Sequence, residues 1–295
     1  MRRIGIAAIW TIALIAGALG SRPAEALTAK TLPPATPWNL EATDAGCALR
    51  RAFGPPDRSL VLEIRRFQPG DGFELSVDGD DLAGLVHSHS VTIGYGTLWK
   101  HEDSGFQLGT TTRGTGTVPS IFLSSALKAP DDGLIDVRRR AAIVTPEMEA
   151  GVDRISLSWS RNNLILNTGS LGKPFAAMRS CTDALLRAWG LDPEVQNGLT
   201  RYPAPTNLMQ MVRAIQAVYP ASMAATGKQG RVNFRAIIDG QGSVTRCETI
   251  KSYNDPEFDA LACKVVRRTR FNPALDRNGK PVDSYYAATV KYYLG

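Results

Sequence analysis

Between residues 229 and 294 the hydrophobic period changes from two to three-and-four and back to two, with turn residues at each change. That pattern reads as a strand–strand–helix–strand order. Val232, Phe234, Ala236 and Ile238 alternate with polar neighbours over residues 229–238, as in a strand with one buried face. Asp239-Gly240-Gln241-Gly242 supplies the glycines of a tight reversal. Val244, Arg246, Glu248 and Ile250 then share one parity, and Thr245, Cys247 and Thr249 the other, as in the return strand of a hairpin. Asn254-Asp255-Pro256 offers a cap with proline in the first turn, ahead of Phe258, Leu261, Ala262, Val265 and Val266 at helical spacing. Phe271-Asn272-Pro273 ends that helix. After a turn over residues 277–281, residues 284–294 alternate again, with Val290, Tyr292 and Leu294 on one face. The expected unit is α+β, a three-stranded antiparallel sheet (β-β-α-β) with a helix on one face.

Five pieces of this segment recur together elsewhere: Tyr219-Pro220, the strand entry Gly230-Arg231-Val232, Asp239 with Gly242, Phe271-Asn272-Pro273-Ala274, and Gly279-Lys280-Pro281-Val282. In order and spacing they resemble the C-terminal domain of the TonB family, over residues 219–295. The resemblance implies a function. In that family the last strand pairs with an extended segment, the TonB box, of an outer-membrane transporter, which is β-strand addition at an open edge. Carried over, the edge comprises Tyr285, Tyr286, Ala287, Ala288, Thr289, Val290, Lys291, Tyr292 and Tyr293. Its main chain would supply affinity, and Tyr285, Thr289, Lys291 and Tyr293 would tune specificity or shield the sheet. The implied partner is an outer-membrane TonB-dependent transporter or another periplasmic protein.

The N-terminus reads as a secretory signal over residues 1–26: Arg2-Arg3, an apolar run over residues 4–20, and Ala24-Glu25-Ala26 as a small-residue cleavage motif. Export to the periplasm is expected, with an uncleaved inner-membrane anchor as the alternative because 17 apolar residues are near the length that spans a bilayer. An energy-transducing TonB protein has an anchor helix carrying a histidine and a long proline-rich spacer. Here residues 4–20 contain no histidine, and residues 27–37, read as a flexible lead-in, extend only about 35 Å. Cleavage would take the net charge from +6 to +4. The densest basic patches, Arg138-Arg139-Arg140 and Lys264, Arg267, Arg268 and Arg270, lack interleaved aromatics, so nucleic acid is not an expected partner.

Four cysteines in an exported chain suggest two disulfides, with three connectivities open. A Cys247–Cys263 bridge would staple helix to sheet, and Cys47 and Cys181 would then pair upstream. A four-thiolate metal site lacks any C-x-x-C spacing.

Residues 38–190 form many short alternating runs broken by Gly, Pro and Asp, then a helix over residues 174–189 closed by Gly190. They predict a mostly antiparallel β domain with a terminal helix. Residues 191–218 read as a linker ending in an amphipathic helix over 207–218, with Leu208, Met211, Val212 and Ile215 on one face.

No persuasive active site emerges. His87 and His89 with His101 or Asp103 could approach a metal, but read more simply as a polar loop. Asn167-Thr168-Gly169-Ser170 has asparagine where an aspartic protease needs a carboxylate. Residues 109–117 lack the G-K-[ST] ending of a P-loop and read as a hairpin tip. Asp80-Asp81 and Asp131-Asp132 sit in turn contexts. The expectation is a monomeric, non-enzymatic, cofactor-free and metal-free periplasmic binding protein in TonB-dependent transport. An anchored energy transducer, or a β-domain hydrolase targeted by the C-terminal module, are the alternatives.

Overall fold

The computed structural model describes residues 28–103, 106–128, 144–219, 221–225, 230–253 and 259–292. The signal segment 1–26, Asp131-Asp132, Arg138-Arg139-Arg140, Pro220, the Asn254-Asp255-Pro256 cap, Phe258 and Tyr293 lie outside the described residues.

The upstream chain runs through β1 (Thr28–Leu32), β2 (Asn39–Thr43), β3 (Gly46–Phe53), β4 (Leu60–Arg66), β5 (Phe73–Asp78), β6 (Val91–Tyr95), β7 (Trp99–Asp103), β8 (Gln107–Arg113) and β9 (Gly116–Ser125). Helix α1 (Pro146–Gly151), β10 (Ile155–Trp159), β11 (Asn162–Leu166) and helix α2 (Gly172–Ala188) follow. Strands β2-β3-β4-β5-β9-β8 form a six-stranded sheet and β1-β11-β10-β6-β7 a five-stranded one. The alternation seen in sequence becomes burial on one face, as in β10, where Ile155, Leu157 and Trp159 point inward. Leu62, Ile64, Leu75 and Val77 from one sheet share a core with Ile93, Ile155, Leu157 and Leu164 from the other. Helix α2 adds Phe175, Met178, Leu185 and Leu186 to that core. Each such side chain contributes about 1.5–3 kcal/mol of transfer free energy.

The lead-in expected over residues 27–37 is corrected. Thr28–Leu32 is strand β1, parallel to β11, and Leu32 is buried. Pro and Thr content suggested a loop, but a short edge strand is specified by the partner it meets rather than by its own propensity.

The second unit comprises α3 (Pro193–Asn197), β12 (Ala204–Pro205), α4 (Leu208–Ala217), α5 (Ala221–Ala225), β13 (Gly230–Ile238), β14 (Val244–Tyr253), α6 (Asp259–Val266), β15 (Phe271–Asn272), β16 (Ala274–Leu275), β17 (Pro281–Val282) and β18 (Ser284–Tyr292). Its main sheet is antiparallel in the order β14-β13-β18. Val232, Phe234, Ala236 and Ile238 are fully buried beneath α6 and α4, together with Tyr286 and Val290. Asn207 caps α4 by accepting from Gln210 N at 2.9 Å. The apolar face of α4 is narrower than expected. Met211 and Ile215 are buried, while Leu208 and Val212 stay 40% and 38% exposed, because α6 reaches only one stripe of the helix.

Residues 191–206 do more than span a gap. Strand β12 pairs with β15, and Arg201 donates through Nε and Nη2 to Pro273 O at 3.0 and 2.9 Å. The two disulfides are Cys47–Cys181, joining β3 to α2, and Cys247–Cys263, joining β14 to α6.

The sheet's second face is also covered. Ile237, Tyr285 and Ala287 belong to the upstream core rather than to the C-terminal one. Tyr285 packs edge-on against Trp189 at the end of α2, ring centroids 5.2 Å apart, and the Arg235 guanidinium lies 3.8 Å above the same indole. Gln196 of α3 donates to Asp283 O at 2.9 Å and accepts from Ser284 Oγ at 2.6 Å. Helix α6 lies on one face of the sheet as expected, and the other face is closed by the upstream domain.

Candidate functional site

Strand β18 is held in place by two turns and the Phe271–Ala274 stretch, which lock into one another. Asp239 Oδ1 accepts from Gln241 N and Ser243 N at 3.0 and 2.8 Å, closing the turn between β13 and β14. Gly242 sits at φ +80°, and a Cβ there would lie 2.0 Å from Phe271 O. Its own carbonyl accepts from Phe271 N at 2.9 Å. The glycine turn and the Phe271–Ala274 stretch are thus one structural device. Asp276 Oδ1 accepts from Asn278 N and Lys280 N at 2.8 and 2.9 Å, and Gly279 takes φ +75° to finish that turn. Asp283 Oδ1 then accepts from Gly240 N at 2.9 Å, tying the start of β18 to the first turn.

From that anchor β18 pairs with β13 along its whole length, from Ser284↔Ile238 through Lys291↔Arg231 to Tyr292↔Gly230. It is an edge strand, and no strand among the described residues pairs with its other side. Tyr285 and Ala287 are buried toward the upstream domain, Tyr286 and Val290 toward the helices, and Ala288 and Thr289 are half-buried. Thr289 Oγ1 donates to Asn233 Oδ1 at 2.6 Å. Of the two parts expected of Tyr285, tuning specificity or shielding the sheet, its buried ring against Trp189 suits the second and not the first.

The edge lies at the rim of a cleft. Tyr286 and Ala287 share a cavity of about 220 Å³ with Gln68 and with Tyr202, Pro203 and Pro205. A smaller space of about 30 Å³, room for about one water, separates Ala287, Ala288 and Thr289 from Phe67, Gln68 and Glu74. The prolines offer no N–H, so their side of the cleft cannot itself complete a ladder with β18.

The other sequence candidates fall apart spatially or serve structure. His87 and His89 are exposed around the end of a 3₁₀ turn, and among the described residues no group of three His, Cys, Asp or Glu side chains is placed to hold a metal. Asp81 is ion-paired with Lys30 at 2.7 Å and with Arg58 at 3.3 Å. Thr168 lies in a loop whose carbonyl accepts from Arg51 and Trp38. Residues 109–117 span the turn of the β8–β9 hairpin. In the basic cluster, Arg267 donates to Cys247 O at 2.9 Å and Arg270 to Ser243 Oγ, so two of its four cations brace the hairpin.

Sequence reasoning gave no role to Arg66 and Arg235 and read Trp189 only as an apolar residue of its helix. Arg66 is buried over the Phe175 ring, and burial pushes its guanidinium down to about 10. Burial also lowers Arg235, with Glu248 at 2.8 Å opposing the shift. A charged residue on an alternating strand gives no sign of what will cover it. No helix among the described residues is long and apolar enough to cross a membrane.

No curated protein matches the chain. Residues 215–294, from the last turn of α4 to just past β18, match the family model for the Gram-negative bacterial TonB protein C-terminal, so this part of the chain is a TonB-type C-terminal domain.

Proposed function

We propose that the protein is exported to the periplasm and acts there as a protein-binding module in TonB-dependent transport, pairing β18 with an extended segment of an outer-membrane transporter or another periplasmic protein. The observation that carries this reading is the free side of β18, an edge strand within the matched domain and bordered by a cleft. Main-chain pairing along such an edge supplies affinity, and the side chains beside it supply selectivity. The activity is binding, without catalysis, metal or cofactor. A monomer suits it, because the chain's own upstream domain fills the sheet face that a second copy would otherwise cover.

The test is amide hydrogen exchange of the full chain with and without a TonB-box peptide. Strand addition protects alternate amides of Ser284–Tyr292, those not already bonded to β13. Unchanged exchange along β18 at saturating peptide rules the mode out.

A further inference from the structure

A second cavity, of about 270 Å³, opens where the two domains meet. The upstream domain lines it with Arg66, Asp71, Glu149, Arg179 and Asp183, and the C-terminal unit with Gln196, Asn197, Tyr202 and Tyr285. Arg179 is ion-paired with Glu149. Arg66 differs. It is only 3% exposed, its Nε has no hydrogen-bond partner, and among the described residues no carboxylate is ion-paired with it, although Asp71 and Glu149 are near enough to favour its charge. A buried guanidinium left in that state costs stability unless something completes it. At neutral pH it remains charged, since burial lowers it only to about 10.

The charges select the ligand. Among the described residues of the lining two guanidiniums face three carboxylates, so a simple anion completing Arg66 would add to an excess of negative charge there. A ligand that brings its own cation avoids this. The volume sits at the small end of ligand sites, which limits the ligand to a few residues at most.

We propose that this cavity binds a small zwitterion of the amino-acid or dipeptide class, its carboxylate on Arg66 and its ammonium toward Asp183. Because the lining comes from both domains, occupancy would also stiffen their contact.

The test is calorimetric titration of the oxidised full chain with alanylalanine and the common amino acids. N-acetyl-alanylalanine and alanylalanine amide, each lacking one charge, serve as controls. The expected result is saturable binding of the zwitterion, weaker by about tenfold or more for each blocked form and for Arg66→Gln. Asp183→Asn, a half-buried change on α2 with little effect on folding, should make the free and N-acetylated dipeptides bind alike. Absence of saturable binding at millimolar concentration overturns the proposal. So does equal binding of the blocked forms to the unaltered chain, or preference for inorganic phosphate. The titration variants, at Arg66 and Asp183, lie outside β18, so its failure leaves the strand-addition reading standing, and the reverse holds as well.

Discussion

Gly242 shows how much one position can fix. Its positive φ and the 2.0 Å approach of Phe271 O exclude any side chain without a shift of backbone against backbone. Gly242→Ala should cost about 3 kcal/mol, read as a lower urea midpoint. A loss under about 1 kcal/mol would mean that the turn and the Phe271 segment move independently. The glycine was legible in sequence as a turn residue, but its contact with Phe271, 29 positions away, was not. Arg235 is the opposite case. Alternation placed it on the face opposite Val232 and Phe234, which for a sheet covered once means solvent. The structure puts it 3.8 Å over Trp189. Trp189→Ala removes both that contact and the edge-on packing of Tyr285 and should cost about 3–5 kcal/mol. Thermal unfolding of the variant checks it.

Among the elements, β13, β14 and α6 were legible because each is long enough for its period to show. Strand β1 was not, since five residues of mixed polarity carry no period and its pairing with β11 depends on residues more than 130 positions away. Helix α4 falls between. Asn207 and the spacing announced it, yet only the position of α6 decides that Met211 and Ile215 are buried and Leu208 is not. The disulfides join elements at two very different loop lengths, 134 and 16 residues. In the chain-entropy account they contribute about 5 and about 3 kcal/mol. The Cys47→Ser/Cys181→Ser double variant should therefore lose more stability than Cys247→Ser/Cys263→Ser under denaturant titration. A reversed order would show that strain or residual structure in the unfolded chain outweighs loop closure.

At the scale of the whole molecule, the two domains share apolar contacts and should unfold together. Ile237, Tyr285 and Ala287 complete the upstream core, and Gln196 bridges α3 to the start of β18. The chain should give a single calorimetric transition, and Trp189→Ala should split or broaden it; two separate transitions in the unaltered protein would contradict the shared core. By itself the sequence determined the α+β class, the strand–strand–helix–strand order, the β-rich upstream region and the even set of cysteines. These follow from local periods, turn chemistry and counts, which need no knowledge of distant residues. Tertiary structure alone decided that the sheet is covered on both faces, that Tyr285 faces inward, that residues 28–32 join a sheet and that Arg66 lies buried with its Nε unbonded. Alternation states which side chains share a face, but what covers that face is settled only when elements far apart in the chain pack together.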